Sequence, residues 1–264
     1  MPPRLSQLEE LAQRAGEILC AGLPVHPETK AGIQVDYKGA IDLVTEYDHR
    51  SEELLISEIN RLFPGDRIIT EESGDIAGKD CCIWYIDPLD GTVNFAHGLP
   101  IFAISLAYAE DGEVKLGVVY DPSRNECFSA ERGKGAWLNK IPLHVSNTPD
   151  LDHSLLVTGF PYDISTNPEN NLEYYTRFTL MTQAVRRLGS AALDLCYVAA
   201  GRFDGYWEIR LKPWDLAAGA LIAQEAGAVV TKLRGEADYL NPPHSILAAN
   251  PKIYPQMLEI FQNA

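Results

Sequence analysis

The sequence predicts a layered α/β protein with mixed β-sheets, on three observations. The chain has 264 residues and 46% of them are hydrophobic, which is enough to bury a substantial core. Residues 102–145 form a succession of short apolar strands, which is typical of an antiparallel sheet. After residue 150, short strands alternate with helical patterns, as they do in α/β proteins.

The first half of the chain begins with two predicted helices. The first is predicted by apolar residues at helical spacing: Leu8, Leu11, Ala12, Ala15, Ile18 and Leu19. The second is expected over 48–63, since Thr45 and Asp48 have the spacing of a capping box. Residues 82–86 are a short apolar run that predicts a buried strand. Residues 102–109 and 114–120 flank Asp111-Gly112, which predicts a β-hairpin.

The remaining elements follow from shorter patterns of the same kinds. Strands are predicted over 126–130, 135–138, 142–145, 154–158, 185–188, 203–207, 229–233 and 246–249. Helices are predicted over 167–181, 191–200, 215–226 and 253–261. A soft division near residue 150 separates an N-terminal α+β part, 1–150, from a C-terminal α/β part, 151–264.

Charge and cysteine content argue against several classes of partner and compartment. The formal net charge is −15, which disfavours binding to nucleic acid or to an anionic membrane. The five cysteines include no Cys-x-x-Cys pair, so they indicate neither a zinc ribbon nor a disulfide framework. The N-terminus lacks the apolar region of a signal peptide, and no apolar run is long enough to span a bilayer. We therefore expect a soluble, cytoplasmic protein.

The strongest chemical signal is the nonapeptide 84–92, WYIDPLDGT. An apolar strand delivers Asp87 and Asp90 into one turn, in which Pro88 restricts the backbone and Gly91 permits a tight bend. Hard divalent cations prefer oxygen ligands, and Mg²⁺ commonly takes a few carboxylates together with water and phosphate. A purely structural Asx-type turn is the alternative, but the complete motif favours a metal and phosphate site.

Three further acidic segments are each ambiguous when taken alone. In residues 214–228, Asp215 stands where a helix begins and could simply cap it. In residues 69–74, Glu71 and Glu72 are adjacent, and such pairs are usually solvated surface charge. In residues 42–48, the Thr45 and Asp48 side chains could cap a helix with no further role.

Together the four segments resemble the inositol monophosphatase family of metal-dependent phosphatases. Residues 87–92 match the family's Asp-Pro-Ile/Leu-Asp-Gly-Thr motif, and residues 214–227 match its Trp-Asp motif. The likeness covers nearly the whole chain, including residues 188–192 and 205–208. It implies one domain over 1–264 with the five-layer αβαβα sandwich shared with fructose-1,6-bisphosphatase.

The resemblance also implies an active site with two or three Mg²⁺ ions. Its expected ligands are Glu71, Asp87, the Leu89 carbonyl, Asp90 and Asp215, with Asp87 shared between two ions. Hydrolysis would use a metal-activated water and no covalent intermediate. Thr92 would orient that water with help from Asp48, so that Glu71, Asp87, Asp90, Thr92 and Asp48 form the expected catalytic set.

Substrate contacts are carried over by the same resemblance. The residues expected to bind substrate are Gly91, Thr92, Gly189, Ser190, Ala191, Glu208 and Asp215. Lys38 matches a basic residue near the phosphate, although it could equally be a plain surface lysine. Arg186, Arg187 and Arg210 are candidate contacts to a second phosphate, or else ordinary surface arginines.

The function expected from the resemblance is Mg²⁺-dependent hydrolysis of a small polyol phosphate, with myo-inositol monophosphate as the first candidate. Fructose 1,6-bisphosphate, histidinol phosphate and phosphoadenosine phosphate are alternatives within the superfamily. A non-catalytic regulator on the same fold is the alternative from another class. Family members are commonly homodimers that lithium inhibits, so a homodimer, inhibition by lithium and a small phosphate ester as partner are also expected.

Overall fold

The computed structural model describes residues 2–23, 35–37 and 43–263. Lys38 and Asp42 lie outside the described residues. The helices are α1 Leu5–Gly22, α2 Glu46–Leu62, α3 Thr92–Ala96, α4 Leu172–Met181, α5 Ala191–Ala199, α6 Pro213–Glu225 and α7 Tyr254–Gln262. None of the helices in these ranges has the length and apolar character needed to cross a membrane.

The strands belong to three sheets. The strands of the first half are β1 Val35–Tyr37, β2 Leu43–Thr45, β3 Asp66–Thr70, β4 Gly74–Ile76, β5 Lys79–Asp90, β6 Ala103–Glu110, β7 Glu113–Asp121, β8 Glu126–Glu131, β9 Gly135–Leu138 and β10 Ile141–Pro142. Those of the second half are β11 Leu155–Thr158, β12 Ala184–Arg186, β13 Gly205–Ile209, β14 Val229–Thr231 and β15 Ser245–Ala249. The large sheet has the order β10-β9-β8-β7-β6-β5-β3-β4, the smaller one β12-β11-β13-β15-β14, and β1 pairs with β2.

Both larger sheets are mixed, as the sequence predicts. In the eight-stranded sheet β3 runs parallel to β5, and the other pairs are antiparallel. In the five-stranded sheet β11 is parallel to β12 and β13, whereas β15 is antiparallel to both of its neighbours. The predicted hairpin joins β6 to β7 through Asp111 and Gly112, which have φ values of 52° and 79°.

Three hydrophobic clusters stack the elements into five layers. Helices α1 and α2 cover the outer face of the eight-stranded sheet. Helices α5 and α6 fill the space between the two sheets. Helices α4 and α7 cover the far face of the five-stranded sheet. The αβαβα sandwich expected from the resemblance is therefore confirmed.

Helix α6 lies in the middle layer because it has no polar face along most of its length. Residues Leu216 to Ala223 are all buried, which is the pattern of a helix enclosed on every side. The close approach to the eight-stranded sheet depends on Gly117 in β7. A Cβ atom at that position would lie 2.9 Å from the Ala218 carbonyl oxygen. This contact fixes the helix whose first turn carries Asp215.

Two predicted elements are shorter in the structure than the sequence predicts. The helix predicted over 167–181 begins at Leu172, because the Asn171 side chain instead bonds Thr158 and the Gly159 carbonyl. The strand predicted over 142–145 is absent beyond Pro142, since the Val145 N–H donates to the end of α6 at Ala226, 3.1 Å away. Apolar residues in this segment pack into the central cluster instead of extending the sheet.

Other boundaries move by a few residues, and three of the shifts concern the site. The strand predicted over 82–86 extends over 79–90 and so includes both acids of the motif. The strand predicted over 203–207 occupies 205–209, which brings Glu208 into the sheet. The helix predicted over 215–226 begins at Pro213, so Asp215 lies within its first turn.

We expect Gly117→Ala to destabilise the protein by roughly 1–3 kcal/mol, because the added methyl group meets helix backbone that cannot rotate away. Urea unfolding at fixed pH measures the change. Gly205→Ala is the matched control, since its Cβ would meet the flexible Met257 side chain. Equal losses of stability in the two variants would contradict a special role for the contact between β7 and α6.

Candidate active site

The acidic motif forms a sharp turn between β5 and α3. The Asp87 carboxylate accepts a hydrogen bond from the Leu89 N–H at 3.0 Å, so the turn is closed by one of its own acids. Gly91 has φ +98°, and a Cβ atom there would lie 2.8 Å from the Ile101 carbonyl oxygen. Only glycine combines that backbone conformation with that close approach. Helix α3 then begins at Thr92.

Thr92 and Asp48 are in direct contact although 44 positions separate them. The Thr92 Oγ1 atom lies 3.0 Å from Asp48 Oδ1 and 3.0 Å from the Leu89 carbonyl oxygen. Asp48 Oδ2 accepts hydrogen bonds from the N–H and the hydroxyl group of Thr45, at 2.8 and 2.6 Å. The predicted capping box at the start of α2 is confirmed, and the same carboxylate also reaches Thr92.

The turn that carries Glu71 is held by a residue that the sequence analysis did not single out. Glu52, on α2, is only 3% exposed. Its carboxylate accepts hydrogen bonds from the Thr70 hydroxyl at 2.6 Å, from the Glu72 N–H at 3.0 Å and from the Ser73 N–H at 3.1 Å. Glu52 therefore holds the Thr70 side chain before Glu71 and the backbone after it.

The predicted substrate segment is joined to the acidic turn. Asp90 Oδ2 accepts from the Ser190 hydroxyl at 2.6 Å and from the Ala192 N–H at 2.8 Å. On the other side of the turn, Asn94 donates to the Leu188 carbonyl at 2.8 Å. Gly189 between them has φ +88°, in the left-handed region. Residues 188–192 are thus fixed against residues 90–94 by side-chain hydrogen bonds.

Asp215 approaches from the middle layer. It lies in the first turn of α6, and its Oδ2 atom accepts from the Lys212 N–H at 2.7 Å. The capping role that the sequence allowed for Asp215 is therefore real. The cleft is also lined by this residue, so capping and a place in the site are compatible.

One cleft of about 390 Å³ collects most of the predicted residues. The predicted residues that line it are Glu71, Asp87, Leu89, Asp90, Gly91, Thr92, Gly189, Ser190, Ala191, Glu208 and Asp215. Asp48 is fully buried behind Thr92 and is not part of the lining. Of the three candidate arginines, Arg187 and Arg210 line the cleft, whereas Arg186 lies on β12 outside the lining.

The acids of the cleft raise one another's pKa values. Burial raises the pKa of Asp87 well above its ordinary value, and the charges of Glu71, Asp90 and Asp215 raise it further. Burial also raises the pKa values of Asp90 and Asp215, although the hydrogen bonds from Ser190 and Lys212 oppose that effect. Carboxylates arranged in this way are stabilised by a bound cation.

The donor atoms suit Mg²⁺, since every candidate ligand is an oxygen atom. Within residues 2–23, 35–37 and 43–263, no group of three His, Cys, Asp or Glu side chains is arranged to hold a metal ion by itself. Mg²⁺ commonly binds through one or two carboxylates and completes its shell with water and substrate phosphate. Two of the carboxylates of Asp87, Asp90 and Asp215, together with the Leu89 carbonyl, would fit that mode of binding.

The cleft is also lined by a buried acid on β13. Glu208 is 9% exposed and its Oε2 atom accepts from the Tyr206 hydroxyl at 2.7 Å. Burial raises the pKa of Glu208 to about 7, although the Tyr206 hydrogen bond and the Arg187 charge both act to lower it. At neutral pH this side chain therefore exists both as an acceptor and as a protonated donor, which suits contact with substrate hydroxyl groups.

Asp194 is the least satisfied polar group of the cleft. It is 1% exposed, it lies in the apolar helix α5, and no described group bonds its Oδ1 atom. Burial raises its pKa well above the ordinary value, and the charges of Glu208 and Asp90 raise it further. An aspartate inside an otherwise apolar helical run was the available sequence signal. No comparable signal marked Glu52 or Asn94, because their partners are distant in sequence.

Asp194→Asn should stabilise the protein, and more so at high pH than at low pH. Because the folded state raises the pKa of this carboxyl, folding favours its protonated form and stability falls as pH rises above about 3.9. Asparagine cannot ionise and so removes that loss, and the gain in the free energy of unfolding should be larger at pH 8 than at pH 5. Urea unfolding with EDTA at both pH values measures it. A gain that is independent of pH would contradict the assignment.

Comparisons with known proteins agree on one family. The family model described as "Inositol monophosphatase family" matches residues 2–264. "Nus factor SuhB" of Pasteurella multocida is 44% identical over 263 residues, which cover 99% of this chain and 97% of that protein. The "extragenic suppressor protein suhB" of Bartonella henselae has a TM-score of 0.90 at 35% identity, and the match covers 98% of each chain. An inositol monophosphatase from Anabaena has a TM-score of 0.87 at 38% identity, covering 98% of this chain and 95% of that one. With these matches over nearly its whole length, the chain belongs to the inositol monophosphatase family.

Proposed function

We propose that this protein is a Mg²⁺-dependent phosphatase that hydrolyses the phosphate monoester of a small polyol. One observation carries the proposal: carboxylates from three separate segments, at Glu71, Asp87, Asp90 and Asp215, line one cleft beside Thr92. When bound, Mg²⁺ would neutralise the phosphate oxygens and make an attacking water more acidic.

Thr92 and Asp48 are suited to orient that water. The Thr92 hydroxyl has one proton, and both of its neighbours at 3.0 Å, Asp48 and the Leu89 carbonyl, are acceptors. When the hydroxyl proton is donated to Asp48, a lone pair of Thr92 is free to accept a proton of a water in the cleft. Asp48 is buried and fixed by Thr45, so the direction of this hydrogen bond is preorganised.

The substrate would bind across the cleft, with its phosphate near Gly91 and Thr92. Its hydroxyl groups would face Glu208 and the segment from Gly189 to Ala191. Inositol monophosphate is the first candidate because of the family and because of the name of the Anabaena relative. Fructose 1,6-bisphosphate, histidinol phosphate and phosphoadenosine phosphate remain alternatives. Inhibition by lithium, a homodimeric state and two or three Mg²⁺ ions per site stay predictions.

A second candidate function is that of a Nus factor, exercised through protein partners. It is favoured by the name "Nus factor SuhB", which the relatives in Pasteurella multocida and Vibrio cholerae both carry. The regulator without turnover that the sequence analysis considered is one form of this function. Since each of the expected ligands is present in the cleft, phosphatase activity comes first.

The test is phosphate release from the four candidate substrates, with and without Mg²⁺, at neutral to mildly alkaline pH. Release that requires Mg²⁺ supports the phosphatase, and the kcat/KM values rank the substrates. If none of the four substrates releases phosphate with Mg²⁺ present, the phosphatase proposal for this substrate class is wrong and the second candidate is favoured.

Asp90→Asn should reduce Mg²⁺-dependent turnover by more than the roughly 10- to 100-fold loss that follows removal of an outer-shell partner. The substitution removes a ligand charge but keeps an acceptor for Ser190, so the unfolding midpoint should not fall. Asp111→Asn, at the exposed hairpin turn, is the control and should keep full activity. Normal turnover of Asp90→Asn at saturating Mg²⁺ would show that Asp90 is not required.

Thr92→Ala should lower kcat by roughly 100-fold while KM changes little, since the hydroxyl acts on the water and not on the bound substrate. Thr92→Ser retains the hydroxyl and is expected to recover most of kcat. Steady-state kinetics on the best substrate separates the two constants. An increase confined to KM would be inconsistent with the role assigned to Thr92.

A further inference from the structure

Arg210 occupies an unusual position on the rim of the cleft. It directly follows β13, two residues after Glu208, and both residues line the cleft. Its φ angle is +59°, in the left-handed region that disfavours residues with a side chain. The Arg210 N–H donates to the His244 carbonyl at 2.9 Å, which holds the backbone in this conformation. A charged residue kept where glycine would fit better is a reason to look for a function.

The guanidinium group makes a single, exposed ion pair. Arg210 Nη2 lies 2.9 Å from Asp163 Oδ2, and the two side chains are 46% and 39% exposed. The other carboxylate oxygen, Asp163 Oδ1, has no partner among the described residues, so the contact is not a two-pronged one. Exposed pairs of this kind contribute little stability, and arginine has five N–H donors, most of which this pair leaves unused. Replacing Asp163 by another anion at the Arg210 guanidinium would therefore cost little stability.

Asp163 belongs to the loop 159–171, which we call the wall loop because residues 159–162 line the cleft. The base of this loop is held independently of Arg210. Asn171 donates to the Gly159 carbonyl at 2.6 Å and accepts from the Trp207 indole N–H at 2.7 Å. Asn167 donates to Asp163 Oδ2 at 3.1 Å. Loss of the Arg210 contact would thus leave the loop anchored and Asp163 hydrogen-bonded.

The position of Arg210 along the cleft indicates which part of a substrate it could meet. Glu208, Arg210 and Asp215 come from one stretch of chain, the end of β13 and the first turn of α6, and all three line the cleft. Arg210 therefore lies, in sequence, between a residue expected to meet substrate hydroxyls and one of the acids. A polyol bisphosphate whose first phosphate is at the acidic turn and whose hydroxyls meet Glu208 would have its second phosphate in the cleft that Arg210 lines.

We propose that Arg210 is a specificity-determining residue that exchanges Asp163 for a second phosphate group of the substrate. The proposal rests on the proposed phosphatase function and adds polyol bisphosphates to the substrates that the cleft would accept. The planar guanidinium fork binds phosphate oxygens in pairs, which is a stronger contact than its single bond to Asp163. In a protein of net charge −15, a cation at this position offsets the repulsion of a second phosphate.

The test compares kcat/KM for fructose 1,6-bisphosphate with kcat/KM for fructose 1-phosphate. Arg210→Gly should lower this ratio about tenfold or more, mainly through KM for the bisphosphate. Glycine accepts φ +59° without strain, so the backbone is preserved. Asp163→Asn should raise the ratio, because it weakens the competitor for the guanidinium. Arg234→Ala, an exposed arginine away from the cleft, is the control and should leave the ratio unchanged.

An unchanged ratio in Arg210→Gly, with phosphate release from fructose 1-phosphate intact, overturns this proposal and leaves the phosphatase function standing. If the wild-type protein hydrolyses neither compound, the phosphatase function fails for these substrates. A binding measurement then tests the role of Arg210. Calorimetric titration of fructose 1,6-bisphosphate with Ca²⁺ in place of Mg²⁺ then supports the proposal if Arg210→Gly binds about tenfold more weakly. Equal affinities overturn it.

Discussion

Repulsion among the acids of the cleft is the constraint to which much of the surrounding structure responds. Asp87 is 2% exposed and its pKa is raised by burial and by three neighbouring carboxylates. Asp87, Asp90 and Asp215 are held by N–H or hydroxyl donors from nearby residues or from a facing segment: the Leu89 N–H, the Ser190 hydroxyl, the Ala192 N–H and the Lys212 N–H. These donors fix the carboxylate positions although the charges oppose their approach. Groups kept together at a cost in stability are characteristic of functional sites.

The scaffold supplies the rigidity that this arrangement requires. Asp87 and Asp90 end a strand in the interior of the eight-stranded sheet, and Asp215 begins a helix that is enclosed between two sheets. Glu71 lies on a turn, but Glu52 reaches across from α2 and bonds the backbone on its C-terminal side. Sites built on packed strands and helices hold their geometry better than sites built on loops. The wall loop, 159–171, forms part of the cleft lining. Because loops vary more than packed strands and helices, we expect differences in substrate preference to arise there.

The two functions under consideration make different demands on this structure. Hydrolysis requires the cleft, with its oxygen donors and with Thr92 held against Asp48. A role with protein partners, as the names of the SuhB relatives suggest, would require an outer surface and would not need the acids to be intact. One fold can carry both functions, hydrolysis in the cleft and partner binding on its outer surface. Variants that change only the cleft are therefore needed to separate enzymatic activity from partner binding.

The sequence by itself determined the type of most elements and the identity of the acidic motif. Local apolar patterns predicted α1, the hairpin of β6 and β7 and the helix α6, and these patterns survive in the fold. The capping box of Thr45 and Asp48 was readable for the same reason. The five-layer arrangement came from the resemblance to a family, since periodicity does not say which sheet a helix will cover.

Only the tertiary structure decided which residues meet. The contact between Asp48 and Thr92 and the support of the Glu71 turn by Glu52 join residues that are distant in sequence. The structure also showed that Asp194 Oδ1 is buried without a partner among the described residues. It also separated Arg210, which lines the cleft, from Arg186, which does not. The start of α4 at Leu172 was missed because the Asn171 side chain bonds two groups at the end of β11. Each of these outcomes depends on hydrogen bonds and burial between segments, for which a linear pattern has no counterpart.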